Sequence, residues 1–353
     1  MAGADILGIG MTTAVGVGAA QTATSVRAGI ARLAESEIRD RELELIVMAT
    51  LADDDLPPLE ASLAAQADLS LREARMLRLA AAALVEVVGD AAAVAQIPLL
   101  LAVPEADQGQ AAPAGDRFLA RLARQSGIAF DIPGSAMFPH GRAAGFHAFE
   151  AALRLLDSGE VGLVLVGGVD TYLDKARLAV LDRAARLLSS GDGFAPGEGA
   201  GFLLLGREES KRAARTGAFA RLAAVATGIE PGHRESDEPY LGEGLSATLQ
   251  AVFAAPGAPA EPVKSVFAGL NGENFWAKEW GTAYLRSRER FEDDFDLLHP
   301  VDCFGDPGAA LGPILTGLAA LGIQQGHVSE PCLAWCSSDR EERGAALLTG
   351  ASH

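Results

Sequence analysis

Cysteine and positive charge are both scarce in this chain. The three cysteines in its 353 residues are Cys303, Cys332 and Cys336. They lack the paired spacing and histidine partners of a zinc site, so reduced, mostly buried thiols are expected and neither a metal nor a cofactor is implied. Lysine and arginine total 29 against 47 acidic residues, a formal net charge of −18. Such a surface repels nucleic acid and anionic membrane alike, and neither is expected as a partner. No basic residue precedes Arg27, so the apolar start lacks a charged leader region. No apolar run approaches the roughly 20 residues that span a bilayer. These absences read as a soluble, cytoplasmic chain.

Apolar residues, by contrast, are plentiful. At 49% hydrophobic content the chain can bury a large core, as two domains or as one two-part unit. Short apolar runs alternate with helical patterns. Residues 6–10, 43–51 and 97–105 read as strands, 70–89 as a helix and 107–116 (DQGQAAPAGD) as a surface loop. The run SRERFEDDFD (287–296) reads as a solvated helix end or loop. The alternation predicts βαβ units in largely parallel sheets covered by helices.

An internal repeat organises the rest. GFHAFEAALRLLDSGEVGLVLVGG runs from Gly145 through Gly159 into a strand ending at Gly167 and Gly168. GPILTGLAALGIQQGHVSEPCLAWCSS runs from Gly312 through Gly326 into a strand ending near Cys336. Each copy sets two glycines 14 residues apart around a small-residue helix, followed by a turn and a strand. Two copies of one α/β unit predict a pseudo-twofold axis.

These segments resemble the thiolase-fold condensing enzymes, specifically the β-ketoacyl-acyl carrier protein synthases. The opening ILGIGMTTAVGVG resembles their first strand and loop, and residues 145–174 their nucleophile helix and following strand. GFAPGEGAGFLLLG (193–206), read as a tight hairpin, and FGDPGAALGPILTGLAAL (304–321) resemble two further signatures. The resemblance implies an α/β thiolase-like fold with two pseudo-twofold-related βαβ halves in five αβαβα layers. It divides the chain into halves at 1–210 and 211–353. In such enzymes a cysteine at a buried helix start attacks an acyl thioester, and two histidines, or a histidine and an asparagine, assist decarboxylation of the extender unit.

Carried over residue by residue, the nucleophile position falls on Arg142. A guanidinium has no usable lone pair and cannot attack an acyl group. The first catalytic histidine falls on Asn271, with Glu273 close behind, and the second on Asp306 in a loop one residue shorter. The glycine-rich turn that supplies an oxyanion N–H is replaced by CSSDREERG (336–344). The resemblance therefore implies a degenerate site in which Arg142 is held by Asp306 or Glu273, because a buried guanidinium demands a charge partner. Cys303, with His299 as base, is the alternative nucleophile, against a buried structural thiol. His147 is read as a packing residue inside the helix. The glycines of APGEGAG lack the Lys-Ser/Thr of a phosphate loop.

Three functional classes stay open. One is a protein that binds without catalysis, an adaptor, chaperone or partner subunit in a homodimer or heterodimer. LNGENFWAKEWG (270–281) resembles ketosynthase-like proteins found with type VI secretion effectors, which implies a secreted effector as client. The second is an acyltransferase or malonyl decarboxylase using unusual residues, with Arg183 and Arg186 as a basic patch for an acidic carrier protein. The third is a sensor of an acyl thioester.

Overall fold

A computed structural model describes residues 3–89, 96–106, 112–207 and 217–351. The 210/211 boundary expected from sequence, and residues 107–111 of the expected surface loop, lie outside these. In the first half the elements are β1 (Ala4–Thr13), β2 (Gly16–Val17), α1 (Ala19–Arg27), β3 (Ala34–Arg39), β4 (Leu45–Met48), α2 (Ala61–Ala64), α3 (Leu71–Val88), β5 (Pro98–Ala102), α4 (Phe118–Ser126), β6 (Asp131–Phe138), α5 (Ala144–Ser158), β7 (Leu163–Thr171), α6 (Lys175–Arg183) and β8 (Glu198–Gly206). The second half follows with β9 (Ala220–Ile229), α7 (Glu243–Ala254), β10 (Val263–Ala268), α8 (Asn274–Arg286), β11 (Phe291–Leu298), α9 (Val301–Phe304), α10 (Leu311–Gln324), β12 (Cys332–Ser337) and β13 (Glu342–Thr349).

The main sheet runs β11-β10-β12-β13-β9-β1-β8-β7-β5-β6. Its order is symmetric about the β9–β1 junction. On each side two antiparallel pairings lead outward to a parallel trio, β7-β5-β6 on one and β12-β10-β11 on the other. Helices α5 and α10 pack on each other and touch strands of both sides, while α3 covers one outer face and α7 the other. This is the expected five-layer αβαβα arrangement. The central core joins α5 and α10 to both half-sheets, and separate apolar clusters lie beneath α3 and α7.

The repeat is what lets the two central helices meet. A Cβ on Gly145 would stand 2.4 Å from Pro313 Cδ, and one on Gly312 would stand 3.4 Å from Gly145 Cα. Both helices end at a glycine in the left-handed region, Gly159 at φ 79° and Gly326 at φ 71°, as the sequence spacing predicts.

Three local expectations are corrected. The acidic run 287–296 is a helix end followed by β11, an edge strand. Asp293, Asp294 and Asp296 are exposed while Phe291 is buried and Phe295 half-buried, so two apolar anchors and pairing with β10 make a strand of an acidic run. Residues 43–51 give the short β4, paired in a separate two-stranded sheet with β3 and buried on one side only. The APGEGAG segment is no tight hairpin: β7 and β8 are joined through α6, and Pro196 bridges to Asp306 before β8 begins.

Candidate functional site

The centre of the molecule gathers four elements at one point: the turn before α5, the loop after β10, the loop before α10 and the loop after β12. Gly141, at φ 62°, starts a single 3-10 turn through Ala143 that leads directly into α5. This turn drives the Arg142 side chain inward, where it is 4% exposed.

Arg142 Nε lies 3.1 Å from Asp306 Oδ2. The Arg142 NH1 group donates to the Ser337 carbonyl at 3.3 Å, and its NH2 group donates to the Gly269 carbonyl. The guanidinium also sits 5.1 Å over the ring of Trp276, which has Arg343 on it as well at 5.9 Å. Burial by itself favours the neutral form. The Asp306 charge together with those of Asp339 and other neighbours outweighs it, so the guanidinium is held even more firmly protonated than usual.

Asp306 is the hub. Its Oδ2 also accepts from Asn271 Nδ2 at 2.8 Å, and its Oδ1 accepts from the Gly308 N–H at 2.9 Å. Asn271 Oδ1 in turn accepts the Glu273 N–H at 3.1 Å. The four residues expected at the site, Arg142, Asn271, Glu273 and Asp306, therefore form one connected buried cluster.

Glu273 serves a different arginine. Arg186 donates to both its oxygens at 2.8 Å and grips Asp339 through NH1 at 2.6 Å and NH2 at 2.8 Å. Arg234 lies 3.1 Å from Glu273 Oε1, and Trp276 Nε1 donates to Oε2 at 3.0 Å. Burial raises the carboxyl pKa, but the Arg186 hydrogen bonds with the Arg186 and Arg234 charges bring it below the ordinary glutamate value. Asp339 is lowered far more strongly by the same arginine against its own burial. Arg186, expected beside Arg183 on a docking surface, is instead 7% exposed inside this network, because two carboxylates hold it there.

The amide that opens the helix is already engaged. The Ala143 N–H donates to Ser338 Oγ at 2.9 Å, and that hydroxyl donates onward to the His140 carbonyl. What remains beside Arg142 is a cavity of about 30 Å³, roughly one water, walled partly by Asp170, Tyr172 and Asp339. Such a space holds no acyl chain.

The thiols lie elsewhere. Cys332 and Cys336 are fully buried, and burial pushes both far above the ordinary thiol range. Cys303 sits on α9 in the central apolar core with Val301 and Phe304, and burial raises its pKa too. His299 directs Nδ1 to Asp302 at 2.7 Å. His147 is not simply a packing residue: its Nε2 is 2.9 Å from Glu342 Oε2, beside His140, and burial lowers its pKa to about 4. Among the described residues no group of three or more His, Cys, Asp or Glu is arranged to hold a metal ion. No described helix is long and apolar enough to cross a membrane.

Sequence reasoning missed the Arg186–Asp339 grip and the Trp276 shelf. CSSDREERG marked the segment that carries Asp339, but nothing in the spacing joins residues 186 and 339.

Comparisons with known proteins agree with this fold. Residues 107–211 match the family model of the β-ketoacyl synthase N-terminal domain. No curated protein sequence matches the chain. Among solved structures, the ketosynthase from module 6 of the bacillaene synthase of Bacillus subtilis 168 is similar at 13% identity and TM-score 0.77, with 99% of this chain and 72% of that one covered. An oxazolomycin ketosynthase domain of Streptomyces albus JA3453 gives 13% identity and TM-score 0.80, covering 99% and 76%. A ketosynthase from Xenorhabdus doucetiae, in complex with its chain length factor, gives 17% identity and TM-score 0.77, covering 99% and 98%. The chain thus has the thiolase-like fold of the ketosynthases, and its residues 107–211 match their N-terminal domain.

Proposed function

We propose that this chain is a catalytically degenerate ketosynthase-like protein that acts by binding, as an adaptor or partner subunit, and forms no acyl-enzyme. One observation carries the reading. Where the family resemblance places the attacking thiol stands Arg142, protonated, paired with Asp306 and closing the cavity around itself. The helix-start amide that would serve an oxyanion is spent on Ser338.

A binding role needs a surface. The sheet has two edges, and they differ in charge. β11 carries outward acids that discourage strand addition, whereas β6 is exposed or half-buried along DIPGSAMF with Asp131 as its single charge. We assign β6 as the pairing edge, to a second copy or to a related subunit of the kind seen for the Xenorhabdus ketosynthase and its chain length factor. A secreted effector as client rests on the LNGENFWAKEWG resemblance alone.

The test is incubation of the purified chain with malonyl- and acyl-thioesters, read by intact mass and by CO2 release, alongside identification of co-purifying protein. Neither adduct nor CO2, with a stoichiometric partner lost on Ile132→Asp in β6, is the expected result. A covalent adduct or released CO2 overturns the reading in favour of an acyltransferase or decarboxylase.

A further inference from the structure

Arg72, in the first turn of α3, and Glu105, just past the end of β5, both line the cavity of about 30 Å³ beside Arg142. Each brings to it a buried polar atom without a hydrogen-bond partner. The Arg72 side chain is only 10% exposed and gives NH2 to Asp170 at 3.0 Å, while its Nε has no acceptor. Glu105 sets Oε2 3.3 Å from Arg340 Nε, while its Oε1 has no donor. That oxygen lies against Gly141, which also lines the cavity, so close that a Cβ on Gly141 would stand 2.8 Å from it. The two unmet atoms are not bonded to each other either.

A buried N–H and a buried carboxyl oxygen both lose their hydration on folding, and protein interiors restore it through a protein group or an ordered water. Among the described residues no protein group does so for these two. The cavity between the walls has the volume of about one water, which rules out a larger polar ligand. Its wall also discriminates among small occupants. Four guanidiniums and four carboxyl groups line it, so a lone anion meets carboxyl oxygens and a lone cation meets guanidiniums. A water suits both signs, because it accepts from a guanidinium N–H and donates to a carboxyl oxygen.

We infer that this cavity is a binding site for one ordered water, which accepts from Arg72 Nε and donates to Glu105 Oε1. The water ties α3 to the segment after β5 and completes the polar wall beside Arg142. The inference rests on the cavity and its two unmet atoms, so it stands or falls separately from the proposed function.

The test is a high-resolution crystal structure of the full chain, with further crystals soaked in bromide and in rubidium. The expected density is one fully occupied water at about 2.7–3.2 Å from both Arg72 Nε and Glu105 Oε1, with no anomalous peak in the cavity. In solution, magnetic relaxation dispersion of the solvent oxygen counts long-lived internal waters. Glu105→Gln, which keeps a polar group at the same place, is expected to retain the wild-type count, and Glu105→Leu to lose one water. A cavity without density, an anomalous peak, a direct Arg72–Glu105 bond, or equal counts in the two variants each overturns the inference.

Discussion

At the starts of α5 and α10 the backbone follows one plan: a glycine with positive φ, Gly141 at 62° and Gly308 at 55°, one 3-10 turn, then the helix. The repeat spacing pairs Arg142 with Ala309. Each start is capped from the opposite half, Ala143 N–H by Ser338 just after β12, and Ala309 N–H by Asp170 at the end of β7, 3.2 Å away. The finish differs. The α10 start receives two carboxylates, from Asp170 and Asp306, as a helix dipole favours. The α5 start receives a hydroxyl and carries a cation. It tolerates that cation because Asp306 serves both turns, with Oδ1 on the Gly308 N–H and Oδ2 on Arg142.

If that shared carboxylate is the keystone, Asp306→Ala costs the most. It strands a buried guanidinium and frees an amide, and a loss of about 3–5 kcal/mol is expected by chemical denaturation. Arg142→Met strands the Asp306 carboxylate in turn, but Asn271 and the Gly308 N–H still donate to it, and a smaller loss is expected. Equal losses would break the comparison.

The two glycines offer a sharper contrast. Gly308→Ala drives a Cβ to 2.1 Å from Asp170 Oδ2, a carboxylate fixed by Arg72 and two amides. Gly141→Ala meets Glu105 Oε1 at 2.8 Å, the far end of a longer side chain with no amide donors holding that oxygen. Both carry the left-handed penalty of about 1 kcal/mol, and Gly308→Ala is expected to exceed Gly141→Ala by about 1–2 kcal/mol in thermal unfolding.

Glu105 beside the α5 turn makes that side pH-dependent. Burial, with Asp339 and Glu235 nearby, pushes its pKa up to about 8 from 4.5. The folded state keeps a proton that the unfolded state has lost, so this contribution is full below pH 4.5 and is lost as pH rises toward 8. Glu105→Gln mimics the protonated acid. It is expected to match wild-type at low pH and to be more stable by roughly 1–3 kcal/mol at pH 8 and above, and a gain that is flat with pH would refute the assignment. Ser338→Ala, which removes only the hydroxyl cap of α5, is expected to cost about 1 kcal/mol.

Much of this was legible before the fold was seen. The paired glycines at 145/159 and 312/326 located both central helices and their ends, because a close helix crossing and a left-handed cap each demand glycine. Arg142 stood out because a cation at a helix start needs an explanation. The sequence also named both carboxylates able to hold it, but not which one. Residues 273 and 306 are equally distant in any local sense, and the division of labour, Asp306 to Arg142 and Glu273 to Arg186, depends on where β10 and the loop before α10 end. Charge counting likewise misread β11, since an acidic strand at a sheet edge and a solvated loop have the same composition. Arg186 looked like surface charge because nothing near it in sequence reveals Asp339.

By itself, then, the chain's sequence determined the repeated α/β plan, the small-residue helix pair and a charged group where the resemblance expects a thiol; all three are local patterns or spacings. Only the tertiary structure decided the partner of each buried charge and the closure of the cavity beside Arg142. Those depend on groups far apart in the chain, 87 residues for Arg186 and Glu273 and 153 for Arg186 and Asp339, and such meetings are set by packing the two halves together.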